Sequence, residues 1–259
     1  MCFPAVNIDR QRATPRRCRR KHTAEASMKI LLVNPNATKT MTDKIAASAR
    51  RVAGPGVEIV ARTGEGSPVS IEGHFDEAMS VPALLRHVRD AERDGVAGIV
   101  VACFDDPGIG ACRELASGPV IGIAEAAMKA ATMLATSFSV ITTLPRSVPV
   151  IEELTRRYGV AHQCRKVRSA SIPVLALEEE GSGAKEKVRD EILRAIQEDN
   201  CEAIVLGCAG MADLTDWLSQ ETGIPVIDGV TVAVKFVEGL AATGLKTSKI
   251  CAYAQPNKK

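Results

Sequence analysis

Two cysteines end two apolar runs of the same shape: "GIVVAC" closes on Cys103 and "AIVLGC" on Cys208. A thiolate can take a proton from carbon and a thiol can return one. A pair of such groups on opposite faces of one carbon is what inversion of a stereocentre requires. A free thiol ionises near about pH 8.5, and a helix N-terminus lowers that value by stabilising the anion. "CFDDPGIGACREL" places Cys103 beside a helix start with Pro107 at a first-turn position, and "CAGMADLTDWL" leads from Cys208 into another helix. The N–H groups there are expected to hold a thiolate or an enolate oxygen, so that an activated α-hydrogen leaves without metal or pyridoxal cofactor. A carboxylate near Cys103 would oppose this. At least one of Asp105 and Asp106 is therefore expected to cap the helix and face away.

The elements that must position these thiols are legible as short β-branched runs alternating with longer amphipathic stretches. Strands are predicted at Lys29–Val33, Val57–Arg62, Ile99–Ala102, Val120–Ile123, Ser139–Thr142, Val167–Pro173, Ile204–Gly207 and Val226–Asp228. Helical patterns include "TMTDKIAASARRV", "DEAMSVPALLRHVRDAERD", "AKEKVRDEILRAIQED" and "VTVAVKFVEGLAA". Continuous apolar strands alternating with helices predict parallel sheets covered on both faces. "GPVIGIAEAAMKAA" and "IPVIDGVTVAVKFV" match after a one-residue slip, and "ILLVNPN" corresponds to "FSVITTL". The repeat predicts an α/β fold of two pseudo-symmetric Rossmann-like lobes, each a four-stranded, mainly parallel sheet flanked by helices. The helix after each "PVI" strand is the natural crossing point, so the last strand and helix are expected to complete the first lobe. That division gives residues 28–124 with 227–259 as one lobe and 125–226 as the other. In open parallel sheets ligands bind beyond the carboxyl ends of strands, where both cysteines fall, so the site is expected in the cleft between lobes.

Composition narrows the classes of function. The 259 residues are 46% hydrophobic, enough for a large core, but only 3% aromatic, too few for stacking platforms. Residues 1–27 carry seven Lys and Arg against two acids, while the rest leans acidic. The body therefore offers no electrostatic footprint for nucleic acid. The basic leader has no apolar periodicity and is expected to be a disordered, silent tail ahead of the strand opening at Met28. No apolar stretch is long enough to span a membrane, and with no export signal a cytoplasmic location with reduced thiols is the default. None of the eight cysteines forms a CxxC or zinc-spaced cluster; Cys2 and Cys18 lie in the leader, and Cys112, Cys164, Cys201 and Cys251 read as small apolar fillers. No P-loop occurs, and "GIGACR" lacks the third glycine of a dinucleotide fingerprint.

"VNPNAT" at 33–38, "SIEG" at 70–73, "VACFDDPG" at 101–108, "ITT" at 141–143 and "LGCAGM" at 206–211 together resemble the hydantoin racemase branch of the aspartate/glutamate racemase superfamily. The resemblance runs from Met28 to the C-terminus. It implies cofactor-independent racemisation of 5-monosubstituted hydantoins by two cysteines, here Cys103 and Cys208, in a homo-oligomer. The C5 hydrogen of that ring lies beside a carbonyl, so its loss gives a delocalised enolate. Asn34 and Asn36, at the end of the first strand, are expected to hold ring N–H and C=O groups; alternatively the Asn-Pro-Asn is only a turn, with Thr38 or Thr40 capping a helix. Thr142 and Thr143 occupy the repeat-equivalent loop. Gly207, Ala209, Gly210 and Phe104 are expected around the ring, Phe104 shaping the pocket or packing in the core. Ile71 borders the pocket in a Gly-rich loop, and Glu72 there reads as an ordinary carboxylate rather than a third acid–base group. Allantoin, itself a 5-substituted hydantoin, and aspartate- or glutamate-type amino acids are the rival substrates. A Cys–His hydrolase, with His74 as the tempting partner, and a binding protein without catalysis are the readings from other classes.

Overall fold

The computed structural model describes residues 28–257; the basic leader, and with it the expectation that it is disordered, lies outside the described residues. Eight strands form two sheets. β1 (Met28–Asn34), β2 (Val57–Thr63), β3 (Gly98–Val101) and β4 (Val120–Gly122) pair in the order β2-β1-β3-β4. β5 (Phe138–Thr142), β6 (Cys164–Ser169), β7 (Ala203–Leu206) and β8 (Val226–Ile227) pair in the matching order β6-β5-β7-β8. Every pairing is parallel. The central strands explain why: Ile30 to Val33, Ile99 to Val101 and Ala203 to Leu206 are buried without alternation, as a strand covered on both faces requires.

The strands are joined by α1 (Lys39–Val52), α2 (His74–Arg93), α3 (Ile109–Leu115) and α4 (Ile123–Leu134) in the first half of the chain. The second half supplies α5 (Val148–Arg157), α6 (Ala184–Asp199), α7 (Thr215–Thr222) and α8 (Gly229–Ala242). α2 and α3 cover the outer face of the first sheet around Leu84, Val88 and Cys112, and α6 and α7 cover the outer face of the second around Val188, Ile192 and Leu218. Between the sheets runs one continuous core. In it α4 packs on β7 and β8 of the second sheet, while α8 packs on β3 and β4 of the first. The alanines of α4 (Ala124, Ala127 and Ala131) lie with Ala233 and Val234 of α8 in this core, and small side chains let the two helix axes approach closely. Gly229 is required at that crossing, because a Cβ there would collide with the backbone carbonyl of Ile123.

Two sequence readings need correction. Ile227, which the division above gives to the first lobe, belongs to β8 and pairs beside β7, so the chain crosses after the last strand and not with it. β6 starts and ends earlier than the apolar run Val167–Pro173 predicts. It is an edge strand that opens on a half-buried Cys164 and the exposed Arg165 and Lys166, and its register on β5 shifts between Phe138 and Val140, so apolar patterning does not mark its start.

Candidate active site

Each sheet reverses its strand order between its first and third strands, which leaves a crevice at their carboxyl ends. β3 runs through Ala102 into Cys103, and β7 runs through Gly207 into Cys208. Cys103 opens a tight turn in which the Asp106 N–H donates to the Cys103 carbonyl at 3.1 Å. Cys208 precedes a 3-10 turn, Ala209–Leu214, closed by the Met211 N–H on the Cys208 carbonyl at 3.1 Å. The lobes face each other, and both half-buried thiols line one cavity of about 40 Å³. That is far below the roughly 300–1,000 Å³ of typical ligand pockets.

Asn36, Ile71, Phe104, Thr142, Thr143, Gly207 and Ala209 line the same cavity, as the sequence reading expects. Phe104 satisfies both alternatives, since it faces the cavity and is only 3% exposed in the shared core. Asn34 and Gly210 are not part of the lining. The Asn34 amide is spent on its own loop, donating to Asn36 Oδ1 at 2.8 Å and to Thr42 Oγ1 at 3.0 Å. It fixes Asn36 and does not reach into the cavity. Gly210 instead directs its backbone N–H at the Cys208 thiol. Thr142 Oγ1 donates to the Gly207 carbonyl at 3.2 Å and ties the ends of β5 and β7 together. Ile71 arrives on the β2–α2 loop, which leans on the Asn-Pro-Asn turn through Ala37 N–H to Pro68 O and Thr38 Oγ1 to Val69 O.

Met41, Ala102, Ser147 and Val174 also line the cavity and were not anticipated; Asp105 lines it too, and is the carboxylate beside Cys103 that does not turn away. Met41 had a detectable signal, lying one turn into the helix that follows the Asn-Pro-Asn turn; its sulfur sits 3.2 Å from Asn36 Nδ2. Ser147 and Val174 come from short 3-10 turns whose sequences carry no chemical mark.

Burial works against the thiolate form of both cysteines. Burial pushes Cys208 up to about 11, opposed by the Gly210 N–H and reinforced by Asp105, Glu178 and Glu72. Burial, and after it Asp105, holds Cys103 well above the usual thiol range. The expectation of thiols lowered by helix ends is therefore overturned: desolvation and carboxylates outweigh the few N–H groups present. Locally, Pro107 precedes α3 rather than sitting in its first turn, and the residue at the helix start is Gly108, in the left-handed region at φ 59°. Asp106 does face away, but the helix it caps is α4. Its carboxylate accepts from the N–H groups of Ala124 at 3.2 Å and Glu125 at 3.0 Å, and from Tyr158 Oη at 2.6 Å. The matching helix α8 carries its own cap, Asp228, whereas α4 has Gly122 at that place. Asp106 fills the space a side chain at Gly122 would need.

Among the described residues no Lys, Arg or His lines the thiol cavity. His74 is largely exposed and lies 3.5 Å from Glu77, so it does not act as the base of a Cys–His pair. No group of three or more His, Cys, Asp or Glu among the described residues is arranged to hold a metal ion, and no helix among them is long and apolar enough to cross a membrane.

Residues 30–237 match the family model of the Asp/Glu/Hydantoin racemases. A hydantoin racemase of Rhizobium meliloti is 52% identical over 90% of this chain and 96% of its own, and one of a Pseudomonas species (strain NS671) is 44% identical over 90% and 93%. Among solved structures, an allantoin racemase from Klebsiella pneumoniae superposes with a TM-score of 0.89 at 51% identity, over 90% of this chain and 95% of that one.

Proposed function

The chain belongs to the Asp/Glu/hydantoin racemase family, and from that premise we propose that it inverts C5 of 5-monosubstituted hydantoins by a two-base transfer between Cys103 and Cys208. Its class is that of an isomerase, a racemase. The observation that carries the mechanism is the placement of two thiols, one from each lobe, on a single cavity. One sulfur, as thiolate, takes the C5 proton; the other, as thiol, delivers a proton to the opposite face of the enolate. Charge develops on the ring carbonyl oxygen in between. Asn36 is suited to hold it: its Oδ1 is occupied by Asn34 and Thr38, and its Nδ2 has only the weak acceptor Met41 sulfur, so the amide N–H can turn to a carbonyl. The high thiol values fit a carbon acid. They keep the thiolate rare, but a thiolate that forms is a correspondingly strong base.

The cavity also speaks to substrate charge. Its lining holds no cation among the described residues, and Asp105, Glu72 and Glu178 all act on the thiols. An α-carboxylate would meet repulsion there without a partner, whereas a neutral ring does not. This supports a hydantoin over aspartate or glutamate. Allantoin is the second reading, favoured by the Klebsiella pneumoniae neighbour. Parallel polarimetric assays of 5-benzylhydantoin, allantoin and glutamate separate the three. Racemisation of the benzyl compound is expected. Turnover of allantoin alone would move the assignment to that substrate, and turnover of glutamate alone would overturn it.

A further inference from the structure

Inversion by two thiols ends with the protons on the opposite sulfurs. The thiolate that took a proton is now a thiol, and its partner is a thiolate. Before the same enantiomer is turned over again, one sulfur must lose a proton to solvent and the other must regain one. Both sulfurs are half-buried on a cavity of about 40 Å³, room for only a few waters, so a side chain that carries protons to bulk solvent would speed this exchange.

Asp105 is the residue common to the thiol cavity and to a second cavity of about 440 Å³. His74 and Glu77 of α2 and Glu153 and Arg157 of α5 border that second space. Both the N–H and the carboxylate of Asp105 act on the Cys103 thiol, and its carboxyl feels Glu77 and His74. His74 Nδ1 stands 3.5 Å from Glu77 Oε2 with its ring 82% exposed. Asp105 thus joins the thiol cavity to the acid–base groups that border the second space. We infer that Asp105 carries the Cys103 proton to and from solvent through the second cavity, by way of Glu77 and His74, and so resets Cys103 between turnovers, while Cys208 makes the opposite exchange with water in the thiol cavity. The inference rests on the two-thiol reading of the site.

In the outward step the Cys103 S–H bond breaks, its electron pair stays on sulfur, and an O–H bond forms on Asp105. The proton then passes to Glu77 or His74 and on to water; the inward step is the reverse. Burial, and after it Glu77, raises Asp105 to about 6, close to neutrality, where a proton carrier both takes up and releases protons readily. Cys103 lies higher, so return of the proton to sulfur is the downhill direction. Asp106 takes no part, being turned to α4 and Tyr158.

Asp105→Asn keeps the size and removes the carrier. With 5-benzylhydantoin its kcat is expected to fall about tenfold or more, with KM held within about twofold. Added imidazole, at fixed pH and ionic strength, should restore kcat in a concentration-dependent way and leave the wild type unchanged. The double variant Glu77→Gln/His74→Ala, altered only at the solvent end, should show a smaller loss with the same rescue. A purely electrostatic Asp105 predicts the reverse: losing a negative charge beside Cys103 favours the thiolate, so kcat rises and imidazole does nothing. A purely structural Asp105 predicts a loss that imidazole does not mend. Either result overturns the relay. Cys103→Ala and Cys208→Ala, assayed alongside, report on the underlying reading: racemisation surviving in either one removes that reading and the relay with it.

Discussion

Cys103 and Cys208 owe their character to what surrounds them. Each is a half-buried thiol in a carboxylate-rich space, and Cys208 is pushed up to about 11. A raised value disfavours the thiolate, so below it the reactive fraction grows about tenfold for every unit by which the pH rises. The expected kcat/KM profile therefore climbs with a slope near one from about pH 7 to about pH 9 without levelling. A plateau beginning near neutrality would mean that a thiolate is already formed in the free enzyme. The thiols themselves were legible in the sequence because the repeat put both at strand ends. Their ionisation was not, because it depends on Asp105, Glu72 and Glu178 arriving from three separate loops or turns. Asn34 was misread for a similar reason: its partners Asn36 and Thr42 turn the amide away from the cavity, and only packing reveals that.

At the level of elements, the loop holding Cys103 is anchored by a borrowed helix cap. Asp106, in the left-handed region at φ 46°, serves α4 and Tyr158 while its N–H closes the turn on Cys103. Asp106→Ala is expected to cost about 2 kcal/mol or more in urea unfolding, from a lost cap and an orphaned tyrosine hydroxyl. Tyr158→Phe should cost about 1 kcal/mol. Burial raises Asp106 to about 7, so its ionised form is disfavoured in the fold. The margin of wild type over Asp106→Asn should accordingly shrink as pH rises from about 4 to about 7 and then stay level. A margin growing over that range would contradict the assignment. Strands buried on both faces announced themselves by apolar runs, whereas β6, with a polar exposed start, did not. The cap partner of α4 lay beyond sequence reading, since Gly122 stands where the repeat mate has Asp228 and the substitute comes from another loop.

Over the whole molecule, the exchange of α4 and α8 between sheets fixes how the two strand-end crevices meet. Their crossing tolerates no side chain at Gly229, so Gly229→Ala is expected to destabilise by about 2–4 kcal/mol in thermal unfolding. Near-neutral behaviour would show that the lobes can shift relative to each other at little cost. The two-lobe plan was readable from the internal repeat; that the chain crosses after β8 and not before it depends on strand pairing alone. On the mechanism proposed above, that plan puts one sulfur, each from a different lobe, on each of the two faces of the substrate. It is tested most directly in deuterated buffer, by following C5 exchange and optical rotation together for each enantiomer of 5-benzylhydantoin with Cys103→Ser and Cys208→Ser. Both variants should lose racemisation while remaining folded, and each should exchange the C5 proton of one enantiomer only, opposite between the two. Racemisation near the wild-type rate in either variant, or exchange of the same enantiomer by both, would contradict it.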